Sequence, residues 1–149
     1  MKRSDFLIGL SREHHSALVW AKRAQRGANV GDDAAALMHS LVTLFDRELA
    51  PHFAVEEADL LPLLQAHGTT ELIARLLAEH AALRAEVVRL GEGCAAALAP
   101  FGRALADHVR FEERELFPVI ESILAQRADE GAATGGRPAP AKGDVPEQR

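Results

Sequence analysis

HFAVEEADLLP, residues 52–62, and HVRFEERELFP, residues 108–118, are one phrase written twice. Both reduce to H-x-x-x-E-E-x-x-L-[LF]-P. An α-helix advances about 100° per residue, so the histidine and the first glutamate of each copy lie about 40° apart, one turn along. The residues that share their direction are apolar. Leu41, Phe45, Leu49, Leu60 and Leu63 surround His52 and Glu56. Phe101, Leu105, Leu116, Val119 and Ile123 surround His108 and Glu112. An apolar stripe of this kind faces a core. The phrase therefore puts an imidazole and a carboxylate into the interior of a helical protein, twice.

The rest of the chain agrees with a helical fold. Its 149 residues suit one domain. Alanine, leucine, glutamate and arginine dominate and tyrosine is absent, a composition that favours helices. Breakers divide the chain into four blocks. Block A runs from Ser4 or Ser11 to Arg26. Block B begins after Gly31, with Asp32 as its N-cap, and reaches Ala66. Block C runs from Thr69 or Thr70 to Gly91, and block D from Cys94 to about Arg127. Serine, threonine, aspartate and glycine stand where helix ends favour them. Short links between long amphipathic helices predict an all-α, up-down-up-down four-helix bundle over residues 1–128. Residues 129–149, rich in Gly, Ala and Pro, read as a disordered tail. Pro51, Pro62, Pro100 and Pro118 are expected to kink blocks B and D or to begin their first turns.

Composition also narrows the partners. The net charge is −5 and no basic patch stands out, which argues against nucleic acid. No apolar run has the length of a membrane span, and the first residues are too polar for a secretion signal. The single cysteine, Cys94, forms no internal disulfide, and a cytoplasmic location is expected. The composition names no protein partner.

The other two blocks carry the same oddity. His80 falls on the stripe of Leu72, Ile73, Leu76, Leu83, Val87 and Leu90. In block A, Leu7, Leu10, Leu18 and Ala21 define a face centred near His14, with His15 about 100° further round. His39 points away from His52, and His67 abuts Gly68, where a histidine favours the negative end of a helix. Both read as surface or capping residues. Four core-facing histidines and two core-facing glutamates then converge, and no lysine or arginine shares their stripes. A buried carboxylate costs several kcal/mol unless paired or bound to a cation. Metal ions supply the missing charge. Histidine with glutamate and no thiolate suits iron first, with manganese or zinc as the alternatives. Six donors exceed the needs of one tetrahedral zinc. Two metals fit better, each taking two histidines, with Glu56 and Glu112 as bridges. Glu57 and Glu113 point further round, toward a supporting role or toward solvent.

At these residues the chain resembles the hemerythrin-like family of HHE cation-binding domains. The resemblance spans roughly residues 4–126 and rests on EH at Glu13-His14, HFAVE at His52 to Glu56, EH at Glu79-His80 and HVRFE at His108 to Glu112. It implies a non-heme di-iron centre in a four-helix bundle. The imidazole ligands would be His14, His52, His80 and His108, and the bridging carboxylates Glu56 and Glu112. The implied cofactor is two iron ions, Fe2+ or Fe3+, joined by an oxo, hydroxo or water bridge. Two positions depart from the oxygen-carrying members. Arg84 stands where they have a second block C histidine, and Glu112 where they have aspartate. The pattern is more similar to members associated with iron or oxygen sensing and with stress responses.

The expected function is a di-iron protein that binds or senses oxygen, a related small molecule such as a diatomic or peroxide, or iron itself. The alternatives are a di-iron enzyme acting on peroxide, nitric oxide or ferrous iron, and a metal-stabilised interaction module. No further general acid or base is evident beside the ligands. Block A leaves one choice open, because aligning HHSAL with EHAAL matches His15, not His14, to His80. Angular placement favours His14. His14→Ala should lose or loosen one iron under anaerobic ferrous loading, whereas His15→Ala should keep both, as counted by elemental analysis.

Overall fold

The computed structural model describes residues 3–27 and 33–134. Every regular element among them is helical: α1 (Asp5–Gly27), α2 (Asp33–Leu44), α3 (Ala50–Ala66), α4 (Thr70–Gly91), α5 (Leu98–Phe111) and α6 (Phe117–Thr134). A π-helical turn, Phe45–Leu49, joins α2 to α3, and a second, Glu112–Leu116, joins α5 to α6. Four helical rods result: α1, residues 33–66, α4, and residues 98–134. They are the four blocks read from the sequence, packed as a helical bundle. Gly31 and Asp32, the expected start of block B, lie outside the described residues.

Each described end has a local cause. Ser4, rather than Ser11, starts the first rod, its hydroxyl accepting from Leu7 N–H at 3.4 Å. The second and third rods stop alike. Gly68 (φ 71°) and Gly93 (φ 82°) adopt the left-handed conformation, which costs glycine least. The chain then folds back so that Thr69 N–H reaches Leu64 O at 3.2 Å and Cys94 N–H reaches Arg89 O at 3.0 Å. The fourth rod continues to Thr134, past the composition change at Asp129. The remainder of the expected tail lies outside the described residues.

The π turns explain how prolines sit inside long rods. A proline lacks N–H and crowds the carbonyl four residues earlier. Pro51 and Pro118 each place that carbonyl, of Arg47 and Arg114, inside a wider π turn. Pro62, at the same place in the repeated phrase as Pro118, is carried in ordinary α-helix.

The interior has two apolar halves. One contains Ala17, Ala21, Leu41, Phe45, Leu83, Phe101 and Leu105. The other contains Leu7, Leu10, Leu60, Leu76, Phe117 and Ile120. In every rod the expected polar residues fall between the two: His14 between Leu10 and Ala17, Glu56 between Phe53 and Leu60, His80 between Leu76 and Leu83, His108 and Glu112 between Leu105 and Leu116. One stripe needs correcting. Leu18 is 38% exposed, and Ala17 occupies the core instead. Ala17, Ala21 and Ala24 form a flat face against which α5 packs closely. A Cβ added at Gly102 would stand 2.5 Å from the Ala21 carbonyl oxygen and 2.7 Å from Gln25 Cγ. Gly102→Ala should therefore destabilise the fold by about 1–3 kcal/mol, since the obstructing atom is backbone. Gly9→Ala should stabilise by about 0.5–1 kcal/mol in the same thermal melt, because nothing lies within 4 Å of its new methyl.

Candidate metal centre

Among the described residues the buried polar side chains are His14, His52, Glu56, His80, His108 and Glu112. These are the six residues singled out from the sequence. Their donor atoms form two overlapping quartets: His14, His52, Glu56 and Glu112, and Glu56, His80, His108 and Glu112. Within each, one donor atom per residue lies within 4.8 Å of the others. Glu56 and Glu112 belong to both.

Each rod delivers its share by helical spacing. His52 and Glu56, and likewise His108 and Glu112, stack one turn apart, and the Nε2 atoms of His52 and His108 touch the carboxylates below them. His14 Nε2 lies 3.1 Å from Glu112 Oε2, and His80 Nε2 lies 3.3 Å from Glu56 Oε2. These approaches are close but poorly aligned. The Nε2 atoms of His14, His80 and His108 and all four oxygens of Glu56 and Glu112 are buried without a hydrogen-bond partner. Buried polar atoms are almost always satisfied. Seven orphans converging on one point, all lone-pair donors when the imidazoles are neutral, fit cations at the centre of the cluster.

The outer nitrogens are arranged with equal care. His14 Nδ1–H donates to Glu113 Oε1 at 2.8 Å, His80 Nδ1–H to Glu57 Oε1 at 2.8 Å, and His108 Nδ1–H to Glu79 Oε1 at 3.0 Å. His52 Nδ1–H donates to Glu13. An ionised carboxylate only accepts, so each bond puts the proton on Nδ1 and turns the Nε2 lone pair inward. Three of the four carboxylates are themselves held: Glu113 by Arg3 at 2.6 Å, Glu79 by Arg75 at 2.8 Å and Glu57 by Arg84 at 3.2 Å. Two aromatic rings brace the imidazoles. Phe53 stacks on His80 with centroids 3.9 Å apart, and Phe117 on His14 at 5.5 Å.

The second glutamate of each repeated phrase thus holds an imidazole of another rod. Sequence reading missed the matching role of Glu13 and Glu79. Their signal was present in the two EH pairs, where a residue beside a core-facing histidine sits at the helix boundary. Arg84 directs its guanidinium to Glu57 and not into the centre. His15 is exposed on the outer side of α1, and His39 and His67 are exposed as expected. His67 Nδ1–H caps the Leu63 carbonyl at 3.0 Å.

The chain matches the hemerythrin HHE cation binding domain over residues 8–120 and belongs to that family. No curated protein and no solved structure matches it. Among the described residues no helix is long and apolar enough to cross a membrane. Family and geometry agree on a cation-binding bundle whose His/Glu clusters fit a metal site.

Without a cation the carboxylates draw protons instead. Burial alone would lower the His52 pKa, but Glu112, Glu56 and Glu13 raise it to about 11. His108, buried likewise, is raised to about 9 by Glu112 and Glu79. Burial would raise the Glu112 pKa, but the four histidines hold it well below the carboxylate range. A histidine pKa above its ordinary value near 6.5 adds stability below that pH, which is lost as pH rises through the folded value. The metal-free chain should therefore melt at progressively lower temperature as pH rises from about 7 through 9. Metal replaces those protons and binds more tightly as pH rises, so the loaded chain should not show this decline. Parallel melts of the two forms across that range check it.

Proposed function

We propose that the chain is a di-iron protein that binds or senses oxygen, a related small molecule or iron itself. In this reading His14 and His52 ligate one iron, His80 and His108 the other, and Glu56 and Glu112 bridge both. The observation that carries it is the membership of both glutamates in both quartets. A single cation would leave two imidazoles facing carboxylates with nothing between them. Each cation would receive four protein donors, two nitrogens and two shared oxygens. Coordination positions would remain for solvent or a small ligand.

The bound pair would supply Lewis-acidic, redox-active centres. What the chain itself supplies is orientation and dryness. The outer carboxylates hold the imidazoles in one tautomer, and Phe53 and Phe117 cover two of them. Leu49, Leu105 and Leu116 close the apolar walls on either side. Among the described residues no fully buried acid or base remains to shuttle protons once the six ligands are committed. This favours reversible binding or sensing over turnover.

An up-down-up-down order for the four rods, and residues 1–128 as the folded unit, belong to the same proposal. Contacts that run counter to each other along the chain support it: Arg3 with Glu113, His14 with Glu112, and Ala21 beside Gly102. A cytoplasmic location is proposed with them, on the strength of the lone Cys94.

Metal analysis tests the centre. The purified chain should bind two irons and show a near-ultraviolet oxo-bridge absorption when oxidised. Stripping the metal should lower the melting temperature by about 5 °C or more, the shift expected when a ligand held a hundredfold above its dissociation constant is withdrawn. Glu56→Ala or Glu112→Ala should each bring iron well below two per chain, while His39→Ala and His67→Ala retain it. One iron per chain, or a melting curve indifferent to confirmed metal loss, would count against the reading.

A further inference from the structure

The four outer carboxylates are not held alike. Glu57, Glu79 and Glu113 each accept from an arginine, whereas Glu13 pairs with no arginine among the described residues and its side chain is 58% exposed. Glu13 borders a surface groove of about 600 Å³ between the first and second rods, floored by Gly9, Leu10, Pro51 and Val55. It also borders a cavity of about 10 Å³, room for roughly one water, walled by His14, His52, Phe53 and His108. Groove and cavity share Glu13, Glu48 and His52 as walls. The Nε2 atoms of His14 and His108 are buried and partnerless. Arg12 and Arg47 also line the groove, but neither lines the inner cavity.

The seam on the other side of the first rod differs. Where it approaches His14 it carries Arg3 locked onto Glu113, and Lys22 and Arg110 line its continuation. Arg3 and Arg110 are ion-paired there, with Glu113 and Asp107, so the carboxylate lining that seam, Glu113, is already held by an arginine and does not face a cavity as Glu13 does. On the Glu13 side two carboxylates face the inner cavity, which attracts and partly dehydrates one.

We propose that the seam between the first and second rods, guarded by Glu13 and Glu48 and open over Gly9, is the port through which divalent cations enter, with His52 as the first imidazole they meet. The inference rests on the metal-centre reading above and adds a route to it. Glu13 lies on one nitrogen of His52 and the centre on the other, so a cation passed from carboxylate to imidazole travels only the width of that ring. The two metal positions are then inequivalent, and the His14/His52 position adjoins the port.

The test is the rate at which metal-free, full-length protein takes up cobalt(II), followed by its visible absorption, with the final metal content counted separately. Gly9→Leu narrows the groove from an exposed helical position whose Cβ meets nothing within 4 Å, and leucine is a better helix former than glycine; a thermal melt of the variant checks that it folds. The substitution should slow uptake severalfold without lowering the endpoint. Glu48→Gln should slow uptake about tenfold at low salt, with the difference shrinking as salt is raised. Leu18→Trp, on the opposite seam, should load at the wild-type rate. If Gly9→Leu and Glu48→Gln load as fast as wild type and still reach two metals, the port is elsewhere and the metal centre stands. If Leu18→Trp is the variant that slows, the opposite seam is the route. A wild-type endpoint below two would undo the metal-centre reading itself.

Discussion

Two carboxylates face one another in a core that contains no buried arginine or lysine among the described residues. Everything else about the interior follows from relieving that repulsion. Coulomb energy between unit charges a few ångströms apart is small in water and large where water is excluded. The bundle therefore has to place compensating groups on every side of Glu56 and Glu112. It does so with one imidazole from each rod and, in our reading, two cations. The alternative of hydrophobic side chains at these positions would be easier to fold. Retaining the polar cluster makes sense only for what it binds.

The relief is layered. Carboxylates at the centre are met by imidazoles, the imidazoles by outer carboxylates, and three of those by arginines near the surface. Charge alternates outward, so each layer steadies the one inside it. The outermost layer is also where the two halves of the molecule part company. Arg75 and Arg84 complete it around His108 and His80, Arg3 completes it for Glu113 beside His14, and Glu13, beside His52, is left facing the groove. The π turns break the symmetry too. One precedes His52 by a turn, while the other begins at Glu112 itself.

Much of this was legible in the sequence. The repeated phrase named four of the six central side chains, the apolar stripes of the other two blocks named His14 and His80, and the helix breakers marked out the four rods. The phrase did so because burial of a carboxylate is so costly that its presence on a core face demands explanation. The outer layer was harder. Glu57 and Glu113 had an undecided role, and Glu13 and Glu79 none, because a residue at a helix boundary is assigned by its neighbour and not by its own rod. Leu18 was misplaced for a related reason. Helical angle placed Leu18 on the face centred near His14, but the close approach of α5 at Gly102 selected the small residue, Ala17. The π turns left only an indirect trace, the prolines at 51 and 118, and Pro62 shows that a proline alone does not require one.

The pairing of inner and outer side chains has a consequence for how the molecule is put together. Glu13, His14, His52, Glu56 and Glu57 come from the first pair of rods; Glu79, His80, His108, Glu112 and Glu113 come from the second. Within each pair one histidine is held by its own partner rod, His52 by Glu13 and His108 by Glu79. The other histidine is held from across the molecule, His14 by Glu113 and His80 by Glu57. Neither half can orient both of its imidazoles alone, yet each contains a complete set of parts. The centre is in this sense the isologous interface of a dimer whose two subunits happen to share one chain.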